Sequence, residues 1–333
     1  MNVPFISIVM PAFNAADYIK VSVDSILQQT LHNIELIIVD DCSTDDTWRI
    51  ISKIALKDSR CRVFRMEENS GSAKYPRDMA VSLAKSDLIC WIDSDDMIAP
   101  DYLEKMYTRM TETGSDMVCS KMIASDERGK CIYTLPREDF DYERVWSGRD
   151  AVMLTIGIKW HINMNGCLVK KEIWKSTTYY LNKDFVHMNA DDFASREMIL
   201  NSRTVASVSV PYYYRIHSQA ITKMLSYKLF EPLITDRLVI QLITKHFGKE
   251  TEQVSEAWNQ YFLHWISMMR VYAMKSNQLT ERGRAIALGL LKEHKQVFQL
   301  RELLKSQQVS FNKKILIMLP LDISMLIIKR INS

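Results

Sequence analysis

Four short apolar runs open the chain, at 5–10, 34–40, 61–66 and 87–93, and each reads as a β-strand. Between them, stretches at 17–29, 46–57 and 72–85 carry apolar residues at helical spacing, as helices buried along one side do. Near-continuous apolar strands alternating with amphipathic helices predict a parallel sheet covered on both faces. Right-handed crossovers then bring the strands' C-terminal ends to one edge, where ligands of such sheets bind. Asp40, Asp41, Asp93 and Asp95 all fall at that edge.

The pattern changes near residue 116. Residues 116–135, DMVCSKMIASDERGKCIYTL, read as two strands around a polar turn. Helices follow at 147–157 and 191–201, and short strands run through TVASVSVPYYYRIH, 204–217. Beyond about 225 the chain reads as nearly all helix. There Trp258, Tyr261, Phe262, Trp265, Met269 and Tyr272 recur at steps of three and four, which predicts a core-facing stripe. The final segment, 312–333, is apolar from Ile315 to Ile327 but interrupted by Pro320 and Asp322, and falls short of the ~20 residues a spanning helix needs. Lys313, Lys314, Lys329 and Arg330 flank it. Two readings fit: an interfacial helix at an anionic membrane surface, or a last helix docked on the core.

Composition narrows the class. With 333 residues, 47% hydrophobic and 25% charged, the chain has room for one large domain or two smaller ones. A net charge of +3 is too mild to argue for a nucleic-acid partner. The six cysteines form no C-x-x-C pair and no zinc spacing, and several sit in apolar runs, as reduced buried thiols of a cytosolic protein do. The opening MNVPFISIVMPAFN lacks the basic region of a signal peptide and reads as the first strand.

The chemistry concentrates in CWIDSDDMIAP, 90–100, where Asp93, Asp95 and Asp96 follow an apolar run. Carboxylates so close repel each other, and burying them unpaired is costly. A metal ion, a basic side chain from elsewhere or solvent must answer them. A β-like alternation would point Asp93 and Asp95 to the same side. The plainer reading is a helix cap, a role Asp101 can fill instead.

Pro11, Phe13, Asn14, Gln29, Asp40, Asp41, Ser43, Asp45 and Thr47 match an apolar strand, P-x-[FY]-N, a helix ending near Gln, and a strand closing in VDD-x-S-x-D-x-T. NSGSAKYPRDMAVSLAKSDLICWIDSDD adds an N-x-G…R block and a D-x-D motif. Four motifs in this order resemble the inverting glycosyltransferases of the GT-A fold, family 2. The likeness is close over about the first 115 residues and looser to about 222.

That resemblance implies an α/β, GT-A catalytic domain over 1–222 with a mostly parallel central sheet. Its nucleotide-binding half would be 1–115 and its acceptor-binding half 116–222, followed by a helical C-terminal region, 223–333. It implies a donor site from Pro11, Phe13, Asn14, Asp40, Asp41, Lys74, Arg77, Asp93, Ser94 and Arg215. In it Asp40 accepts the N3–H of uracil, which suits an acceptor-only carboxylate, and Asp93 takes the ribose hydroxyls. Asp95 and His217 would hold Mg²⁺ or Mn²⁺, a hard cation that neutralises charge growing on the leaving diphosphate. Asp191 and Asp192, opening a helix, resemble the family's E-D motif, whose second carboxylate is the catalytic base; Asp replaces Glu at the first position. Asp78 stands where the family usually has Asn, which leaves position 78 without an assigned donor contact.

The implied activity is transfer of a sugar from a UDP-sugar to a saccharide or lipid-linked acceptor in bacterial surface polysaccharide synthesis. It would take place in the cytoplasm or peripherally on the inner membrane's cytoplasmic face. A nicotinamide-dependent dehydrogenase is disfavoured because PAFNAAD replaces G-x-G-x-x-G after the first strand. An aspartyl phosphatase is disfavoured because Met97 follows Asp96 where Thr or Val would stand. A degenerate transferase acting as a scaffold is the non-enzyme alternative, and the intact acidic sets argue against it. The residues that select the sugar lie between about 150 and 190.

Overall fold

The computed structural model describes residues 3–136, 140–156, 164–217 and 225–331. They form two compact units: one holds the described residues up to Val186 together with Ala194–His217, the other His187–Phe193 and the described residues from 225 onward. The tail of the YYYRIHSQAIT block, 218–222, lies outside the described residues.

The first unit is built on a ten-stranded sheet. Strands β1 (Ile6–Ala12), β2 (Ile34–Asp40), β3 (Cys61–Arg65) and β4 (Leu88–Trp91) run parallel in the order β3-β2-β1-β4. They are joined by helices α1 (Ile19–Leu27), α2 (Thr47–Ala55) and α3 (Lys74–Leu83). Every residue of β1 and β2 is buried, because both faces are covered. Ile6, Ile8 and Met10 share a core with Ile19, Val23 and Ile26 of α1 and with Leu103 and Met106 of α4 (Tyr102–Thr113). On Trp91 of β4 packs the Trp174 ring, their centroids 4.9 Å apart.

Beyond β4 the sheet is mixed. After the two-residue β5 (Met97–Ile98) come the hairpin β6 (Met117–Asp126) and β7 (Cys131–Leu135), then β8 (Trp146–Ser147) and α5 (Gly148–Ile156). β9 (Cys167–Lys170) runs antiparallel to both β4 and β6 and joins the two halves of the sheet. Helices α6 (Lys171–Lys175), α7 (Thr178–Leu181) and α8 (Ala190–Asn201) precede β10 (Thr204–Ile216). The short strands expected over 204–217 are in fact this single strand of 13 residues. Its pairing with β6 shifts register between Ser207 and Pro211. A proline cannot donate to the ladder, so a bulge carries the strand past it instead of ending it.

The second unit is helical: α9 (Pro232–Phe247), α10 (Glu252–Lys275), α11 (Glu281–Gln296), α12 (Leu300–Lys305), α13 (Phe311–Met318) and α14 (Leu321–Ile331). The aromatic stripe of α10 is buried along its length, and Tyr261, Phe262 and Trp265 all meet the ring of Phe298 edge-on. The Trp265 indole donates to the Leu291 carbonyl at 3.0 Å. The apolar tail is two helices, broken at Pro320, and both lie against α10.

Candidate active site

The loops after β1 and β2 clasp each other. Asn14 sits at φ 48°, and its side-chain oxygen accepts from the Thr44 amide at 2.8 Å, while its own amide donates to Ser43 Oγ at 3.0 Å. Ala15 and Ala16 donate to Thr47 Oγ1 and Asp45 Oδ2. The matching positions of the two first motifs therefore hold the loop in shape. Pro11 is buried in β1, whereas the Phe13 ring next to the clasp is 43% exposed and available to a ligand. Gln29 is structural too, tying the end of α1 to the Ala99 carbonyl and the Leu103 amide.

At the end of β2, Asp40 is fully buried. Its Oδ2 accepts from the Ser43 amide at 3.2 Å and meets Arg65 Nε at 3.1 Å, while Oδ1 has no hydrogen-bond partner among the described residues. Asp41 accepts from the Ser70 amide, the Ser70 hydroxyl and the Asn69 amide group, which fixes the loop before α3.

The D-x-D segment is a turn and not the strand-like alternation expected of it. β4 ends at Trp91, and the Asp96 amide closes back on the Asp93 carbonyl at 3.2 Å. The turn gathers one oxygen each of Asp93, Asp95 and Asp96 within 4.8 Å. Each carboxylate is answered by groups distant in sequence. Asp93 accepts from Arg77 Nη2 at 2.9 Å and from Asn165 Nδ2. Asp96, wholly buried, accepts from the Tyr212 hydroxyl at 2.5 Å and the Arg215 amide at 2.9 Å. Asp95 meets His217 Nε2 at 2.9 Å. The partners of Asp95 and Asp96 arrive because β5 pairs antiparallel with β10, Met97 opposite Tyr213. That register carries Arg215 and His217 back over the carboxylates.

Burial raises the proton affinity of Asp95, and Asp93 beside it raises it further against the opposing His217 contact. Burial pushes Asp96 up more strongly, with Asp95 and Asp93 adding to it. Such a set of hard oxygen donors would gain from a divalent cation. Asp101, by contrast, precedes α4 without a side-chain cap bond and pairs with Lys105 at 2.7 Å. Tyr18 lies under both basic groups, its ring centroid 4.7 Å from that of His217 and 5.0 Å from the Arg215 guanidinium carbon. Ser94 is half-buried within the turn.

One residue expected at the donor site, Lys74, has another occupation. Lys74 is 1% exposed, and its ammonium donates to Asp78 at 2.5 Å and to the Tyr179 carbonyl at 2.6 Å. The Asp at 78 is thus the partner of a buried lysine. Asp191 and Asp192 stand in the first turn of α8, in the segment that belongs to the second unit. The turn before them is anchored to α9, where Glu231 accepts from the Met188 amide at 2.8 Å and Thr235 donates to the Asn189 carbonyl at 3.3 Å. One residue on, Asp236 meets His264 Nδ1 at 2.6 Å.

Residues 7–170 match the family described as glycosyl transferase family 2. Glycosyltransferase GlyG of Streptococcus pneumoniae is 31% identical over 227 residues, 66% of this chain and 73% of GlyG. The chain belongs to glycosyltransferase family 2. The putative teichuronic acid biosynthesis glycosyltransferase TuaG of Bacillus subtilis is 42% identical over 109 residues, 33% of this chain and 43% of TuaG. S. aureus TarS 1–349, solved in complex with UDP-GlcNAc, superposes with a TM-score of 0.68 at 19% identity, covering 98% of this chain and 89% of that one. That likeness shows the GT-A fold. The chain spans only 54% of the longer TarS chain.

Several partners in this family 2 glycosyltransferase were missed by sequence reasoning: Arg65 on Asp40, Asn165 on Asp93, Tyr212 on Asp96 and Tyr18 beneath His217. Only Tyr212 carried a signal, standing in the YYYRIH block.

Proposed function

We propose that the protein is a metal-dependent inverting glycosyltransferase that takes a sugar from UDP and passes it to a saccharide or lipid-linked acceptor of surface polysaccharide synthesis. The observation that carries this reading is the 93–96 turn, with Asp95 held by His217. Mg²⁺ or Mn²⁺ on Asp95 and His217 would neutralise the charge that builds on the departing diphosphate. Asp93, oriented by Arg77 and Asn165, takes the ribose hydroxyls. Asp40 offers its unpartnered Oδ1 to the uracil N3–H. Arg215, seated on Tyr18, stabilises the leaving group. Asp192 removes the acceptor proton, and the acceptor oxygen attacks the anomeric carbon on the face opposite the diphosphate. TuaG, a relative named for teichuronic acid biosynthesis, supports the setting. Acceptor-dependent UDP release from a panel of nucleotide sugars tests the assignment. A protein that releases no UDP from any of them and binds UDP no better than CDP is not this enzyme.

A further inference from the structure

Exposed apolar side chains recur along the last helices of the second unit. Of 19 exposed large hydrophobic side chains among the described residues, eight lie from residue 300 onward: Leu300, Leu304, Phe311, Ile315, Met318, Ile323, Leu326 and Ile331. On α13 they form a stripe at helical spacing, Phe311, Ile315 and Met318, opposite the buried Leu316 and Ile317. On α14, Ile323 and Leu326 face away from the buried Leu321, Ser324 and Ile328. Each helix is thus apolar on two sides, one packed within the second unit and one presented outward. Packing explains the first side. No described residue of that unit covers the other.

The charges say what does. Residues 311–331 carry Lys313, Lys314, Lys329 and Arg330 against a single acid, Asp322, four positive minus one negative. A second copy of the chain docked symmetrically would set these cations against their own counterparts, a like-charge contact. A surface that is apolar below and anionic above answers both features. Spanning is excluded for this pair, since no described helix is long and apolar enough to cross a membrane. We propose that α13 and α14 lie flat in the headgroup layer of an anionic lipid bilayer, with Phe311, Ile315, Met318, Ile323 and Leu326 inserted and the exposed Lys329 and Arg330 toward lipid phosphates. The inference is independent of the donor and base assignments.

Flotation of the full chain with phosphatidylcholine vesicles, with and without phosphatidylglycerol, tests it. Partition should be strong only with phosphatidylglycerol at low salt, and fall as salt rises. Phe311→Ser/Leu326→Ser, at positions 75% and 67% exposed, should lower the partition coefficient about tenfold or more with an unchanged urea midpoint. Lys329→Gln/Arg330→Gln, both at exposed positions, keeps the apolar stripe and should cost about fivefold per residue on anionic vesicles. Absence of wild-type binding to anionic vesicles at low salt overturns the proposal. So does wild-type partition by both variants, or a dimer in solution that the serine pair dissolves.

Discussion

Removing the Lys74 ammonium separates a structural role from a donor-binding one. Lys74→Met keeps the stem volume and deletes the ammonium that Asp78 meets at 2.5 Å and that donates to the Tyr179 carbonyl. At an effective dielectric of about 20 the gross attraction at that separation is roughly 6–7 kcal/mol, most of it offset by desolvation. Loss of one partner from a buried pair costs about 3–5 kcal/mol, because the other charge is stranded. The Asp78 side chain retains 22% exposure and can be partly rehydrated, so the lower end, about 3 kcal/mol, is expected. Lys74→Met/Asp78→Leu strands no charge and should cost only about 1–2 kcal/mol, less than Lys74→Met alone, so that restoring stability by removing the second charge marks the stranded carboxylate as the source of the larger loss. Urea unfolding followed by tryptophan fluorescence reads this well, since Trp174 lies 5.3 Å from the Tyr179 ring whose carbonyl Lys74 holds. UDP affinity, measured on the folded proteins, should change little in the double variant. A Lys74→Met protein as stable as wild type but deficient in UDP binding would refute the reasoning and return Lys74 to the donor site.

Four further outcomes are expected. Excess chelator should abolish transfer, and Asp95→Ala should lose most of it while remaining folded; full turnover in chelator removes the metal from the mechanism. Asp192→Asn should lower transfer by roughly two to four orders of magnitude with UDP binding intact, as loss of a positioned base does; near wild-type rates end that assignment. UDP should bind more tightly than CDP, whose N3 has no proton to give Asp40, and equal affinities by calorimetry would exclude this contact. Burial disfavours the charged form of His264, but Asp236 and Asp192 outweigh it and raise its proton affinity. Its stabilising contribution is therefore complete below the ordinary histidine value of about 6.5 and lost as pH rises through the higher folded value. The stability difference between wild type and His264→Gln should shrink across that window, and a pH-independent difference would contradict it.

The hydrophobic pattern by itself determined the parallel core of the first unit, the hairpin at 117–135 and the helical second unit. Apolar runs and helical spacing are local consequences of which face is buried, so β2 was legible to the residue over Ile34–Asp40. The D-x-D motif likewise located the carboxylates. What answers them was decided only by the tertiary structure. Tyr212, Arg215 and His217 reach Asp95 and Asp96 across some 120 residues through the register of β5 on β10. Asn165 reaches Asp93 from 72 residues away. Spacing along the chain gives no sign of either. Asp78 read as a departure from the family pattern until Lys74 was seen buried against it. A lone charge in a sequence is compatible with solvent, ligand or partner alike. The choice is made by burial, since a desolvated charge must be met by an opposite one, and burial belongs to the packed chain.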